Sequence, residues 1–101
     1  MSPEISARLR LLSIEVMAEG ARFCAFGRDG CVAMVARSAG QQGFAGIGSS
    51  GLALDQGLGY LVWRDEKPLL VGHGFEAPAR PDQVAAIQRF SSDLKSALGL
   101  S

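Results

Sequence analysis

The residue of this chain best suited to acid–base chemistry at neutral pH is its single histidine. His73 stands between Gly72 and Gly74. Imidazole titrates near neutrality, and a flanking glycine pair lets the backbone approach a ligand closely. No acidic partner is indicated by spacing, so the sequence favours a histidine at a strand end whose ring is packed or solvated.

The two cysteines, Cys24 and Cys31, are the other candidates for chemistry. Their separation does not match the closely spaced cysteine pairs of structural zinc sites. A nucleophilic thiol needs an electropositive setting, and two cysteines make no disulfide framework for a small secreted fold. We therefore predict no metal and no cofactor, two small buried hydrophobic residues, and a reducing, cytoplasmic setting.

A glycine pattern between Gly46 and Gly51 matches the G-x-G-x-x-G signature of phosphate-binding loops. The dinucleotide-binding version requires a helix to open directly after the last glycine. Here the chain runs within a few residues to Gly57 and Gly59, which leaves no adequate helix. The pattern therefore favours a kinked strand or loop over a phosphate site.

Surface recognition is indicated on the segment that contains Tyr60, Trp63 and Arg64, since aromatic residues and arginine are enriched where proteins bind partners. In a strand, Tyr60 and Arg64 share one face, and Trp63 lies on the other, where a core position is the commoner outcome. For the alternative of a ligand pocket, the candidate lining residues are Phe44, Ile47, Tyr60 and His73.

Composition and charge exclude several classes of protein. The 101 residues contain ten basic and ten acidic side chains, so no long-range field attracts nucleic acid or an anionic membrane. No apolar run approaches the roughly 20 residues that span a bilayer, and Met1 to Leu12 does not resemble a secretory signal. The length fits one domain, spanning residues 1–101.

Helical periodicity is present at both ends of the chain. Apolar residues at spacings of three and four predict a first helix from Pro3 to Glu19, ended by Gly20. A similar stripe predicts a last helix from Pro81 to Leu98, stopped by Gly99.

The segments between the helices favour strands. Residues 21–26 and 31–37 flank a glycine-bounded turn, and an Arg28-Asp29 loop would place Phe26 opposite Cys31 and Cys24 opposite Ala33. A second hairpin is predicted from 58–64 and 69–75, with a turn at 65–68. The segment 42–54 is ambiguous between a loop and an irregular third strand, which we favour; residues 76–80 are predicted to be extended. The expected fold is α+β, a four- or five-stranded antiparallel meander flanked by the two helices.

The predicted strands are apolar at consecutive positions, as in Cys31 to Ala36, whereas a sheet with one wet face alternates. Both faces should therefore be covered, and a second copy can cover the face that the helices leave open. The expected function is a small cytoplasmic protein-interaction or regulatory module without catalytic activity, acting as a homodimer. The alternative is a small-molecule-binding domain, with ligand between the glycine-rich segment 43–59 and the strand of His73. An enzyme is least favoured, because acid–base groups are sparse outside turns and helix faces.

Overall fold

The chain folds into one seven-stranded antiparallel sheet in which each strand pairs with the next along the sequence. The computed structural model describes residues 1–38 and 43–100. The elements, in chain order, are α1 (Pro3–Leu11), β1 (Glu15–Glu19), β2 (Phe23–Arg28), β3 (Cys31–Arg37), β4 (Phe44–Leu54), β5 (Gly57–Arg64), β6 (Lys67–Gly72), β7 (Phe75–Pro78) and α2 (Pro81–Leu98). The α+β class, the antiparallel meander and the helix at each end are confirmed. The predicted count of four or five strands is wrong, because β1 and β7 are additional strands.

The first helix is much shorter than predicted. It begins at Pro3, where the Ser2 hydroxyl accepts a hydrogen bond from the Ile5 N–H at 3.2 Å, and it ends at Leu11. Ser13 then adopts a left-handed conformation with φ of 58°, and the Ile14 N–H donates to the Leu9 carbonyl at 2.9 Å. This reversal places Ile14 in the core and sends the chain into a strand. The prediction of a helix through to Glu19 is therefore wrong.

The β2–β3 hairpin is shifted by two residues from its predicted register. Its loop is Asp29-Gly30, with φ values of 50° and 84°, and Cys24 pairs with Val35. An Asp-Gly pair suits a type I′ turn, which matches the twist of the flanking strands better than an Arg-Asp pair. Because the shift is even, each side chain keeps its predicted face.

The glycine-rich segment forms a strand, β4, as we favoured; Gln42 lies outside the described residues. Its pairing with β3 shifts register twice, between Ala33 and Val35 and between Ala36 and Arg37. On its other side β4 approaches β5 very closely, since a Cβ atom added at Gly51 would overlap the carbonyl oxygen of Gly59. The absence of a side chain at Gly51 thus permits this contact.

The strand predicted over 69–75 is interrupted. The chain turns at His73 and Gly74, where Gly74 has φ of 83°, and Phe75 begins β7. The Phe75 ring lies beside glycines of the two preceding strands, with ring carbons 3.6 Å from a Cβ position at Gly59 and 3.9 Å from one at Gly57. The phenylalanine therefore fills space that those glycines leave empty.

Helix α2 covers the middle of the sheet. It begins and ends where predicted, and Gly99 closes it in the left-handed conformation with φ of 72°. It packs against α1 and against β3 and β4 on the same side of the sheet. The buried apolar cluster between helices and sheet comprises Ile5, Leu9, Ile14, Cys24, Phe26, Cys31, Ala33, Val35, Phe44, Leu70, Ile87, Phe90, Leu94, Ala97 and Leu98.

Arg28 connects the sheet to both helical regions. Its Nη1 lies 2.9 Å from Asp93 Oδ2 on α2 and donates to the Leu12 carbonyl at 3.0 Å. Its guanidinium carbon lies 5.7 Å from the centroid of the Phe90 ring. With a side chain only 16% exposed, these contacts are partly shielded from water, which strengthens them.

Arg28→Met is expected to lower the free energy of unfolding by about 2 kcal/mol, because Asp93 and the Leu12 carbonyl lose a largely desolvated partner. Urea unfolding followed by circular dichroism measures this. Arg64→Met is the matched control: Arg64 pairs with Glu76, but both side chains are over 40% exposed, so the loss should stay within about 0.5 kcal/mol. Equal losses in the two variants would contradict a special role for Arg28.

Gly51→Ala is expected to lower the free energy of unfolding by about 2–3 kcal/mol, since the new methyl group overlaps backbone that no rotamer change can relieve. Gly46 lies on the same strand with open space around its Cβ position. Gly46→Ala should therefore be neutral or stabilising by about 0.5 kcal/mol. The same unfolding measurement compares the two, and a Gly51→Ala variant as stable as the parent would show that β4 and β5 do not approach as described.

Candidate interaction surface

The sheet presents one apolar face to the helices and a second apolar face to solvent. On β2 and β3, the pairs Cys24–Val35 and Phe26–Ala33 point toward the helices and are buried. Their neighbours in sequence must point the opposite way because side chains alternate along a strand. We call this opposite surface the open face; its larger apolar residues include Met17, Phe23, Val32, Met34, Leu58, Tyr60, Val62, Leu69 and Val71.

Several large side chains on the open face are in contact with water. Met17 is 59% exposed, Phe23 52%, Leu58 41% and Val62 37%. Both helices pack on the other side of the sheet, and in the described part of the chain no helix lies on the open face. A contiguous exposed apolar surface of this kind marks an interaction site more often than isolated exposed residues do.

The open face is uneven as well as apolar, because small side chains on β4 lie between larger ones on the neighbouring strands. The register places Gly46, Gly51 and Ala53 of β4 on this side, opposite Ala36, Val32 and Leu58 of the neighbouring strands. Bulkier residues stand on either flank, with Phe23 and Met34 on β2 and β3 and with Tyr60 and Val62 on β5. A shallow strip without large side chains therefore runs along β4 between two raised rows.

Charged residues lie at the margins of this surface. Arg64 on β5 forms an ion pair with Glu76 on β7, across the intervening β6. At the opposite margin, the edge strand β1 begins with the exposed residue Glu15, which pairs with Gly27 on this side of the sheet. An apolar centre with a charged margin is the usual anatomy of a protein interface.

The three residues predicted for surface recognition divide between the two faces. Tyr60 pairs with Val71 and Arg64 with Lys67, which places both on the open side, whereas Trp63 pairs with Pro68 on the helix side. Trp63 is 55% exposed, so the favoured core position for it is wrong. It lies beyond the part of the sheet that α2 covers.

The four residues predicted to line a ligand pocket are not brought together. Phe44 is buried, with its ring centroid 5.8 Å from that of Phe26, and Ile47 is half-buried beneath α2. Tyr60 lies on the open face, and His73 is exposed in the β6–β7 turn. Because β5 lies between β4 and β6, the part of the glycine-rich segment in β4 does not adjoin the strand before His73, whereas its last residues, 57–59 at the start of β5, do.

Sequence reasoning missed Met17 and Phe23, which contribute most to the exposed apolar surface. Met17 was assigned to a helix, but its side chain lies over Gly27 of β2. Phe23 precedes the buried Cys24, so its position on the other face follows from alternation along the strand. The one sequence signal for this surface was the uninterrupted apolar character of the strands, which indicated that both faces of the sheet are apolar.

Both cysteines are buried and have free thiols, which agrees with their prediction as small buried hydrophobic residues. Among the described residues, no three His, Cys, Asp or Glu side chains group as metal ligands. Likewise, none of the described helices has the length and apolar character needed to cross a membrane. Comparison of the chain with protein-family models, with curated proteins and with solved structures finds no match.

Burial raises the pKa of the Cys31 thiol above its ordinary value of 9.0, although nearby Arg28 acts in the opposite direction. The unfolded chain should therefore ionise this thiol first as the pH rises, and stability should fall above about pH 9. Urea unfolding at neutral and at alkaline pH tests this, with Cys31→Ala as the comparison. The variant should lose less stability than the parent between the two pH values; identical losses would contradict the prediction.

Proposed function

We propose that this protein is a small, non-catalytic interaction module of the cytoplasm that acts as a homodimer through its open face. The observation that carries the proposal is the seven-stranded sheet whose helices cover one side, while Phe23 and Val62 remain exposed on the other. Burying such residues against a partner stabilises association by about 25 cal/mol for each Å² of apolar area removed from water.

The dimensions of the open face suit a stable dimer. Seven strands spaced about 4.8 Å apart, with about six residues each, span roughly 29 by 20 Å. This footprint is of the same order as the roughly 800 Å² that each partner buries in an interface of standard size. The formal net charge of zero adds no long-range repulsion between copies and no attraction for nucleic acid.

The shape of the open face, with its β4 strip between two rows of larger side chains, favours a second copy over an unrelated partner. A two-fold axis parallel to the strands, between β3 and β4, would place Met34 on β3 of each copy over the β4 strip of the other, and β2, which carries Phe23, over β5. Each contact would then occur twice, as an isologous interface requires. The β4 strip at Gly46 has open space in which a partner side chain can lie.

Dimerisation through the β1 edge of the sheet is less favourable. Strand β1 has a free edge, and an antiparallel pair centred on Met17 would place Glu15 opposite Glu19 of the partner subunit, at two sites. Like charges directly opposite each other destabilise strand pairing, and charged residues on an edge strand oppose such pairing generally. The β1 edge is therefore less favourable than the open face for self-association.

Light scattering coupled to size-exclusion chromatography tests the proposal. The parent chain is expected to elute with twice the mass of one chain at micromolar concentration. Phe23→Glu and Val62→Glu should each give the mass of one chain, because a carboxylate buried in an apolar interface without a partner is strongly unfavourable. Circular dichroism would establish that each variant remains folded.

Leu11→Glu is the matched control for these variants. Leu11 is 86% exposed, but it lies at the end of α1, away from the open face, so this variant should remain a dimer. Gly46→Tyr adds a side chain to the β4 strip and should also give the mass of one chain. The proposal is refuted by a parent chain that is monomeric at these concentrations, or by a dimer that both glutamate variants of the open face leave intact.

A further inference from the structure

A groove lies on the helix side of the sheet, between α2 and the inner faces of β4 and β5. Ile47 and Leu61 form its apolar floor, and Gln88, Ser91 and Lys95 of α2 form one wall. Trp63 stands at the opposite margin. The groove has a volume of 290 Å³, close to the lower end of the range for small-molecule sites.

The groove combines an exposed aromatic ring with polar groups that converge on it. Trp63 is 55% exposed, although Leu61, its neighbour on the same face of β5, packs against the core. Indole is large and amphipathic, and such rings are usually covered unless they serve recognition. Across the groove, the Gln88 amide and the Ser91 hydroxyl can donate hydrogen bonds to a ligand.

The electrostatics of the groove select the charge of that ligand. Lys95 is the cation that lines it, and none of its lining residues is acidic. In the described part of the chain, Lys95 takes part in no ion pair. A carboxylate placed beside this ammonium group would gain a charge-assisted hydrogen bond without displacing an existing partner.

We propose that this groove binds a small organic carboxylate with a flat apolar body. The apolar body would lie against Trp63 and Leu61, while the carboxylate would lie beside Lys95 and accept a hydrogen bond from Ser91 or Gln88. The site is on the opposite side of the sheet from the open face, so this binding does not depend on dimerisation.

Trp63 is the single tryptophan of the chain, so its fluorescence reports directly on the groove. Phenylacetate and its uncharged analogue phenylacetamide serve as probes, because the two share a ring and differ in charge. Titration with phenylacetate should change the emission saturably, and phenylacetamide should bind about five-fold more weakly. A monomeric Phe23→Glu variant should bind phenylacetate as the parent does, which separates this site from the dimer interface.

Lys95→Gln should lower the affinity for phenylacetate to that for the amide, by about five-fold, and leave the amide affinity unchanged. Lys67→Gln is the matched control, since Lys67 is the other lysine of the chain and does not line the groove. Amide chemical shifts should change at Ile47 and Ser91 on addition of the carboxylate.

Three outcomes would overturn the proposal: emission that does not saturate up to the solubility limit of phenylacetate, equal affinity for acid and amide, or equal effects of Lys95→Gln and Lys67→Gln.

Discussion

The dominant constraint on this molecule is that its sheet is apolar on both faces while its two helices pack on one. Alternation along β2 and β3 sends Cys24, Phe26, Ala33 and Val35 toward α2, and the residues between them to the opposite side. With helix on only one side, the second face must remain in water or meet another molecule. The architecture thus determines which apolar surface stays exposed before any individual contact is considered.

Two features stabilise the helix side of the sheet: the contacts of Arg28, and the packing of the Phe75 ring against the backbone of nearby glycines. Arg28 lies at the end of β2, so its contacts with Leu12 and Asp93 hold the turn after α1 and the middle of α2 against the same strand. Farther along the sheet, Phe75 supplies the bulk that glycines at 57, 59 and 72 lack. These glycines therefore permit close packing of the Phe75 ring.

Local signals predicted helix α2 and the strands β2 to β6 because the determining interactions are close in sequence. Pro81 and Gly99 bound a periodic apolar stripe, and no tertiary contact overrides it. The prediction of the first helix was wrong for the opposite reason. Ser13, whose residue type does not itself forbid a helix, is left-handed here, and the strand β1 that follows gains its hydrogen bonds from β2. The short β7 was not predicted because the chain turns at His73 and Gly74, at a position where the residue pattern does not distinguish a turn from a continuing strand.

The candidate surfaces were less predictable than the fold because they depend on which side of the sheet the helices pack against. Parity alone separated Tyr60 and Arg64 from Trp63, but it could not say which face was covered or how far α2 would extend across β5. In the structure, α2 crosses β3 and β4 and leaves Trp63 uncovered. Strand β5 consequently presents Tyr60 and Val62 to one exposed surface and Leu61 and Trp63 to another. A single apolar strand thus serves two distinct surfaces, which explains why its sequence shows no alternation of polar and apolar residues.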